Sequence, residues 1–234
     1  MEWASVTIAS LSLLGVSFFI VKNIRSKRLA YIKNFHFHSS IKNKILKKYS
    51  HLSDEQVSLV FQALRDYFYF CNQAKRSMVA MPSQVVDDAW HEFILHTRVY
   101  KDFSQKALGR FLHHTPTEAM HSPTLAQEGI KRAWRLACAK EKINPIAPNK
   151  LPLIFAIDAM LNIPNGFVYT LDCKNKSSPA YGTGYCAGHI GCAAGCSGSS
   201  GSGSGSGGFF DGIFDSGASG SSCGGGCGGG CGGS

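Results

Sequence analysis

The chain has 234 residues and a formal charge of +9, from 24 Lys and Arg against 15 Asp and Glu, a balance that by itself suggests a nucleic-acid partner. Its distribution argues otherwise: Lys22, Arg25, Lys27, Arg28, Lys33, Lys42, Lys44, Lys47 and Lys48 fall in one stretch with no acid among them, and the remainder of the chain is balanced. With no basic face on the globular part and no aromatic–basic interleaving, no nucleic acid is expected.

The first element is the uncharged run Ala4 to Val21, "ASVTIASLSLLGVSFFIV", 18 residues that are just long enough for a bilayer-spanning helix. The acidic start "MEW" and the basic flank "KNIRSKR" fit an uncleaved anchor better than a cleaved signal peptide. Residues 1–21 are therefore expected to be a transmembrane anchor with the N-terminus outside and the domain in the cytoplasm. Residues 22–52 are then a basic juxtamembrane segment, and membrane lipid is the expected partner of helix and flank. In a reducing cytoplasm the nine cysteines would be core residues, metal ligands or redox groups rather than disulfides.

Residues 53–176 have ordinary globular composition. Ser53 and Gln56 have capping-box spacing, and Val57, Val60, Phe61, Leu64, Phe68 and Cys71 recur at helical intervals to about Arg76. Pro82 opens a second helix through "VDDAWHEFILHTRVY" to about Tyr100, and a shorter one, "KDFSQKALGR", stops at Gly109. Ser122-Pro123 starts another, whose apolar face holds Leu125, Ile130, Trp134, Ala137 and Cys138. "LPLIFAIDAML" reads as a buried helix between Pro152 and Pro164, and "GFVYTLDC" is too little to make a sheet. The expected fold class is all-α, a small irregular helical bundle.

Residues 177–234 hold 22 of the 26 glycines and six of the nine cysteines. Such a segment buries too little to offset its ordering entropy, so it reads as a flexible Gly/Ser/Cys-rich tail.

Two constellations carry chemistry. On the second helix, Asp87 and His91 are one turn apart, about 40° around the axis, whereas His91 and His96 are about 140° apart and cannot share an ion on one undistorted helix. An Asp one turn before a His can fix its tautomer. "FLHHTP" adds His113 and His114, whose adjacent side chains diverge, so one of the two would complete a divalent-metal site. The alternative is an Asp–His hydrogen bond that only ties helix to turn. In the tail, Cys186, His189, Cys192 and Cys196 have Cys-x2-His-x2-Cys-x3-Cys spacing, competent for zinc or an iron–sulfur cluster. Cys223, Cys227 and Cys231, spaced by glycines, would suit zinc or copper.

The leading functional expectation is a membrane-anchored protein of unassigned activity with a metal-binding Cys/His tail, the metal being zinc or copper. A metal-assisted hydrolase or proton-transfer site at Asp87, His91 and His113 or His114 is the enzymatic alternative. A scaffold recruiting a protein partner through "FFDGIFD" and the tail is the third. No phosphate-binding loop, dinucleotide fingerprint or nucleophile elbow is present.

The stretch "VDDAWHEFILHTRVYKDFSQKALGRFLHHTP", with "AWRLACAKEKINPIAPNKLPLIFAIDAMLNIPNGFVYTLDC" after it, resembles a bacterial family of uncharacterised glycine-rich-domain-like proteins and, more distantly, plant glycine-rich domain proteins. The matching positions are Asp87, Trp90, His91, Thr97, Tyr100, Phe103, Gly109, His113, His114 and Pro116. The bacterial pattern often has Cys after the Phe, where this chain has Ser104, which argues against a site built on that Cys. The resemblance implies a shared domain and a shared Asp/His site, but no established activity.

Overall fold

A computed structural model of the protein describes the backbone of residues 2–114, 123–171, 185–187 and 190, and the side chains of these from Gly15 onward except at 123, 124, 185 and 186. Seven helices are described: α1 (Glu2–Lys33), α2 (Ser39–Lys48), α3 (Asp54–Gln73), α4 (Gln84–Leu95), α5 (Thr97–Leu108), α6 (Pro123–Glu141) and α7 (Leu153–Met160). The two-residue strands β1 (Tyr169–Thr170) and β2 (Tyr185–Cys186) pair in parallel. The architecture is all-α. The chain divides after Ser199, and Ser200–Ser234 lies outside the described residues, as do the tail ligands His189, Cys192 and Cys196 and the side chain of Cys186.

Helix α3 is the central pillar, touching α1, α2, α4, α5, α6 and α7. Its start is the expected capping box: the Gln56 amide donates to Ser53 Oγ at 3.3 Å and the Ser53 amide to Gln56 Oε1 at 2.7 Å. Its apolar stripe, Val57, Val60, Leu64, Phe68 and Cys71, is buried throughout. Phe68 meets Phe93 of α4 and Phe103 of α5, and Phe35 and Phe37 close the cluster from the α1–α2 connection. These rings adopt tilted and edge-to-face contacts, the arrangements their quadrupoles favour. Cys71 and Cys138 are free and buried; burial pushes their thiols up to about 12 and about 11. Both stay protonated and act as small hydrophobes.

The anchor expectation over residues 1–21 is overturned. Among the described residues no helix is long and apolar enough to cross a membrane. The apolar run does not end as a separate element at Val21; it is the first part of α1, which continues without a break through Lys22, Arg25, Lys27 and Arg28 to Lys33. The far end of that helix joins the core, where Ile32 is 2% exposed and Leu29 and Tyr31 pack against it. The transmembrane topology, the lipid partner and the localisation inferred from that run fall with it.

Nor are residues 22–52 a mere basic flank. Ile41, Ile45, Tyr49 and Leu52 are buried in the core. Three of the four lysines of α2 face acids of the neighbouring helices: Lys42–Asp54 at 2.8 Å, Lys44–Glu92 at 2.5 Å and Lys48–Asp88 at 2.7 Å. An exposed pair such as Lys42–Asp54 is worth about 0–1 kcal/mol; Asp88, by contrast, is buried. Two of the three, Lys44–Glu92 and Lys48–Asp88, join α2 to α4.

One expected boundary and one expected face change. The second helix ends at Leu95 rather than near Tyr100, and His96 turns the chain into α5, where Thr97 is exposed. On α6 the buried face holds Ala126, Ala133, Trp134, Ala137 and Cys138, while Leu125 is 53% exposed.

Helix α5 stops at Gly109, which has φ of 71°. A Cβ there would meet the Arg28 guanidinium, which donates to the Leu108 carbonyl at 3.3 Å. The guanidinium is the far end of a flexible side chain and can move aside, so Gly109→Ala should cost roughly the 1–2 kcal/mol of the left-handed backbone. A thermal melt of the variant checks this; a midpoint equal to that of the parent would contradict it.

Candidate metal centre

The site begins with the start of α4. Ser83 caps it by accepting from the Val86 amide at 3.3 Å, and a second cap arrives from α7. Asp158, 3% exposed, accepts from Ser83 Oγ at 2.7 Å, the Gln84 amide at 2.7 Å, the Val85 amide at 3.3 Å and the Phe167 amide at 2.9 Å. A carboxylate at a helix N-terminus satisfies orphan amides and complements the helix dipole. It fixes the first turn of α4, and Asp87 follows in that turn.

From there the helical repeat places Asp87 and His91 together, as expected, with His91 Nε2 3.7 Å from Asp87 Oδ2. The third residue comes from the segment after α5. Trp90 Nε1 donates to the Tyr100 hydroxyl at 3.2 Å, and that hydroxyl donates to the Leu112 carbonyl at 2.5 Å. Burial pushes the Tyr100 phenol up to about 12, so it remains a donor. This chain of bonds pins residue 112 against α4, and His114 then lands on the Trp90 ring, centroids 4.5 Å apart.

His114 Nε2 is 3.0 Å from Asp87 Oδ1, and its ring lies 4.3 Å from that of His91. His113 points elsewhere, edge-on to Phe111 at 4.8 Å, and is exposed. Alternation along extended chain separates the two histidines, so one of them, His114, joins the site.

Asp87, His91 and His114 each offer one ligand atom, and the three atoms lie within 4.8 Å of one another. Two imidazoles and a carboxylate form a borderline donor set suited to zinc and related divalent ions. Ligand atoms around tetrahedral zinc stand about 3.3–3.5 Å apart, so the set needs to close by roughly one ångström. His91, with a half-exposed side chain (49%) against 16% for His114, has the freedom to supply that movement.

Asp88, next to Asp87 in the sequence, is 8% exposed. It accepts from Tyr49 Oη at 2.5 Å and pairs with Lys48 at 2.7 Å, so it ties α2 to α4 and is no ligand. His96 lies at the α4–α5 corner, away from the cluster as predicted. No motif marks Asp158, and nothing in the spacing of Trp90 and Tyr100 announces the hydrogen bonds they make. The signal for Asp158 was present: a lone acid inside "LIFAIDAM" must find donors if it is buried.

No curated protein and no solved structure matches the chain. The family model described as UCP032817-like matches residues 27–190. That match begins within α1, includes α2 to α7 together with Asp87, His91 and His114, and covers well over half of the sequence. The chain is thus a member of the UCP032817-like family.

Proposed function

We propose that the helical domain is a divalent-metal module in which Asp87, His91 and His114 hold zinc and leave one side of the ion open for chemistry. The observation that carries this reading is convergence: three ligand atoms within 4.8 Å of one another, from residues up to 27 positions apart, supported by a tethered turn that serves His114. Three protein ligands are the pattern of reactive zinc, whereas structural zinc is closed by four. When bound, the ion would supply Lewis acidity for metal-assisted hydrolysis. The protein's own part is positional: Asp87 draws both Nε2 atoms inward, the Trp90 ring bounds one side, and half-exposed His91 leaves the site accessible.

The test is zinc content. The full chain and Asp87→Ala are loaded with zinc, dialysed and analysed. The reading expects the variant to carry one zinc fewer per chain, whatever the tail cysteines hold. Equal contents would reduce the cluster to a hydrogen-bonded clasp between α4 and the turn after α5.

A further inference from the structure

Docking of α1 gives the domain a charged corner. The C-terminal ends of α3 and α5 are joined where Asn72 Nδ2 donates to the Ala107 carbonyl at 2.8 Å. Helix α1 crosses both ends. Arg25 donates to Gln73 Oε1, on the last residue of α3, and Arg28 donates to the carbonyl of Leu108, the last residue of α5. Arg110 closes the corner, donating from Nε and Nη2 to the Lys75 carbonyl at 3.2 and 2.8 Å.

Four more basic residues flank these contacts: Lys22, one turn before Arg25, Lys75 and Arg76 just after α3, and Lys106 in the last turn of α5. Lys22, Arg25 and Arg28 fall within about 120° around α1. All of the basic residues here but Arg28 and Arg110 are exposed. The acid nearest to any of them in sequence is Asp102, one turn before Lys106. Among the described residues none of them enters an ion pair, unlike Lys42, Lys44 and Lys48 of α2.

The partners of the three arginines are neutral. A guanidinium has more donors than these bonds use, so Arg25, Arg28 and Arg110 are oriented by the fold and keep N–H groups for a further acceptor. The two helix C-termini offset only about half a charge each. Most of the positive charge at the corner is therefore unmatched.

The expectation of no nucleic-acid partner rests on a globular part without a basic face, and the docked α1 removes that premise. Phe18 and Phe19, 72% and 69% exposed, lie one turn before Lys22, and exposed rings beside a basic surface stack on unpaired bases. The pattern is not that of a helix lying on lipid, which sets charges and apolar residues on opposite faces. On α1 the exposed Val16, Phe18, Phe19, Ile20 and Val21 come first along the axis and the charges follow.

We propose that this corner binds single-stranded nucleic acid through its phosphate backbone. Arg25, Arg28 and Arg110 are the held phosphate donors, the flanking basic residues add charge, and Phe18 and Phe19 receive bases.

Fluorescence anisotropy of a labelled single strand of about 20 nucleotides, long enough for one binding site, tests this. The full chain is titrated over a range of salt in EDTA, so that an ion at Asp87, His91 and His114 takes no part. Lys22→Gln, Arg76→Gln and Lys106→Gln combined remove three charges from the corner and no hydrogen bond or ion pair described for these side chains. This variant should bind about tenfold or more weakly, with a salt slope shallower by about 2, since each phosphate contact on a single strand contributes about 0.7. Lys47→Gln, Lys142→Gln and Lys150→Gln combined remove the same charge from exposed residues elsewhere. That control should change affinity by less than about threefold, because charges more than ~8 Å away are largely screened at physiological salt. Failure of the parent to bind the strand, or equal losses in the two variants, would overturn the proposal. So would binding confined to phosphatidylglycerol vesicles, which would give the corner to lipid.

Discussion

His114→Ala should weaken zinc binding at the helical domain by a hundredfold or more, while His113→Ala should change it by no more than a few-fold. The two residues are neighbours in sequence, yet one stands 3.0 Å from Asp87 and the other packs on Phe111. Losing a group that merely orients a ligand costs about 10–100-fold in metal affinity, so losing a ligand costs at least the upper end of that range. Competition with a chromophoric chelator measures both variants. Equal effects at 113 and 114 would contradict the assignment, because they would place the ion where the turn does not present His114.

Asp158→Ala should be among the most destabilising single changes in the domain, by about 3–5 kcal/mol. The substitution leaves the Ser83 hydroxyl and the amides of Gln84, Val85 and Phe167 without the acceptor they now share. Each buried donor left unsatisfied costs about 1–3 kcal/mol, with water and relaxation recovering part of the sum. Against a typical domain stability of about 5–15 kcal/mol that is a large share. Urea unfolding should show the midpoint drop with the slope retained. A loss below about 1 kcal/mol would mean that the start of α4 is held by Ser83 alone.

Much of this was legible in the residues because it depends on local rules. The Ser53–Gln56 box, the stripe from Val57 to Cys71, the stop at Gly109 and the apolar helix of residues 153–160 follow from caps, periodicity and backbone sterics. The pairing of Asp87 with His91 is equally local, set by one helical turn. The choice between His113 and His114 was not, because it depends on where Tyr100 and Trp90 tether the turn.

The misreadings share one cause. An apolar run beside a block of lysines carries the same one-dimensional pattern whether it meets lipid or continues into a folded domain. Ile32, Ile41 and Ile45 are too sparse among the basic residues to announce that they are buried. The acids that offset those lysines, Asp54, Asp88 and Glu92, come from α3 and α4 and are brought close only by folding. The burial of Asp88 has the same origin, since α2, which supplies Tyr49 and Lys48 to it, lies in the segment read as a basic flank.

X-ray absorption at the zinc edge, recorded on the zinc-loaded chain and on His114→Ala, tests the central claim most directly. The parent should show nitrogen and oxygen neighbours at about 2.0–2.1 Å with imidazole scattering, and the variant should lose part of that signal. A shell of sulfur alone at about 2.3 Å, unchanged in the variant, would place the ion on the cysteines and contradict a centre at Asp87, His91 and His114.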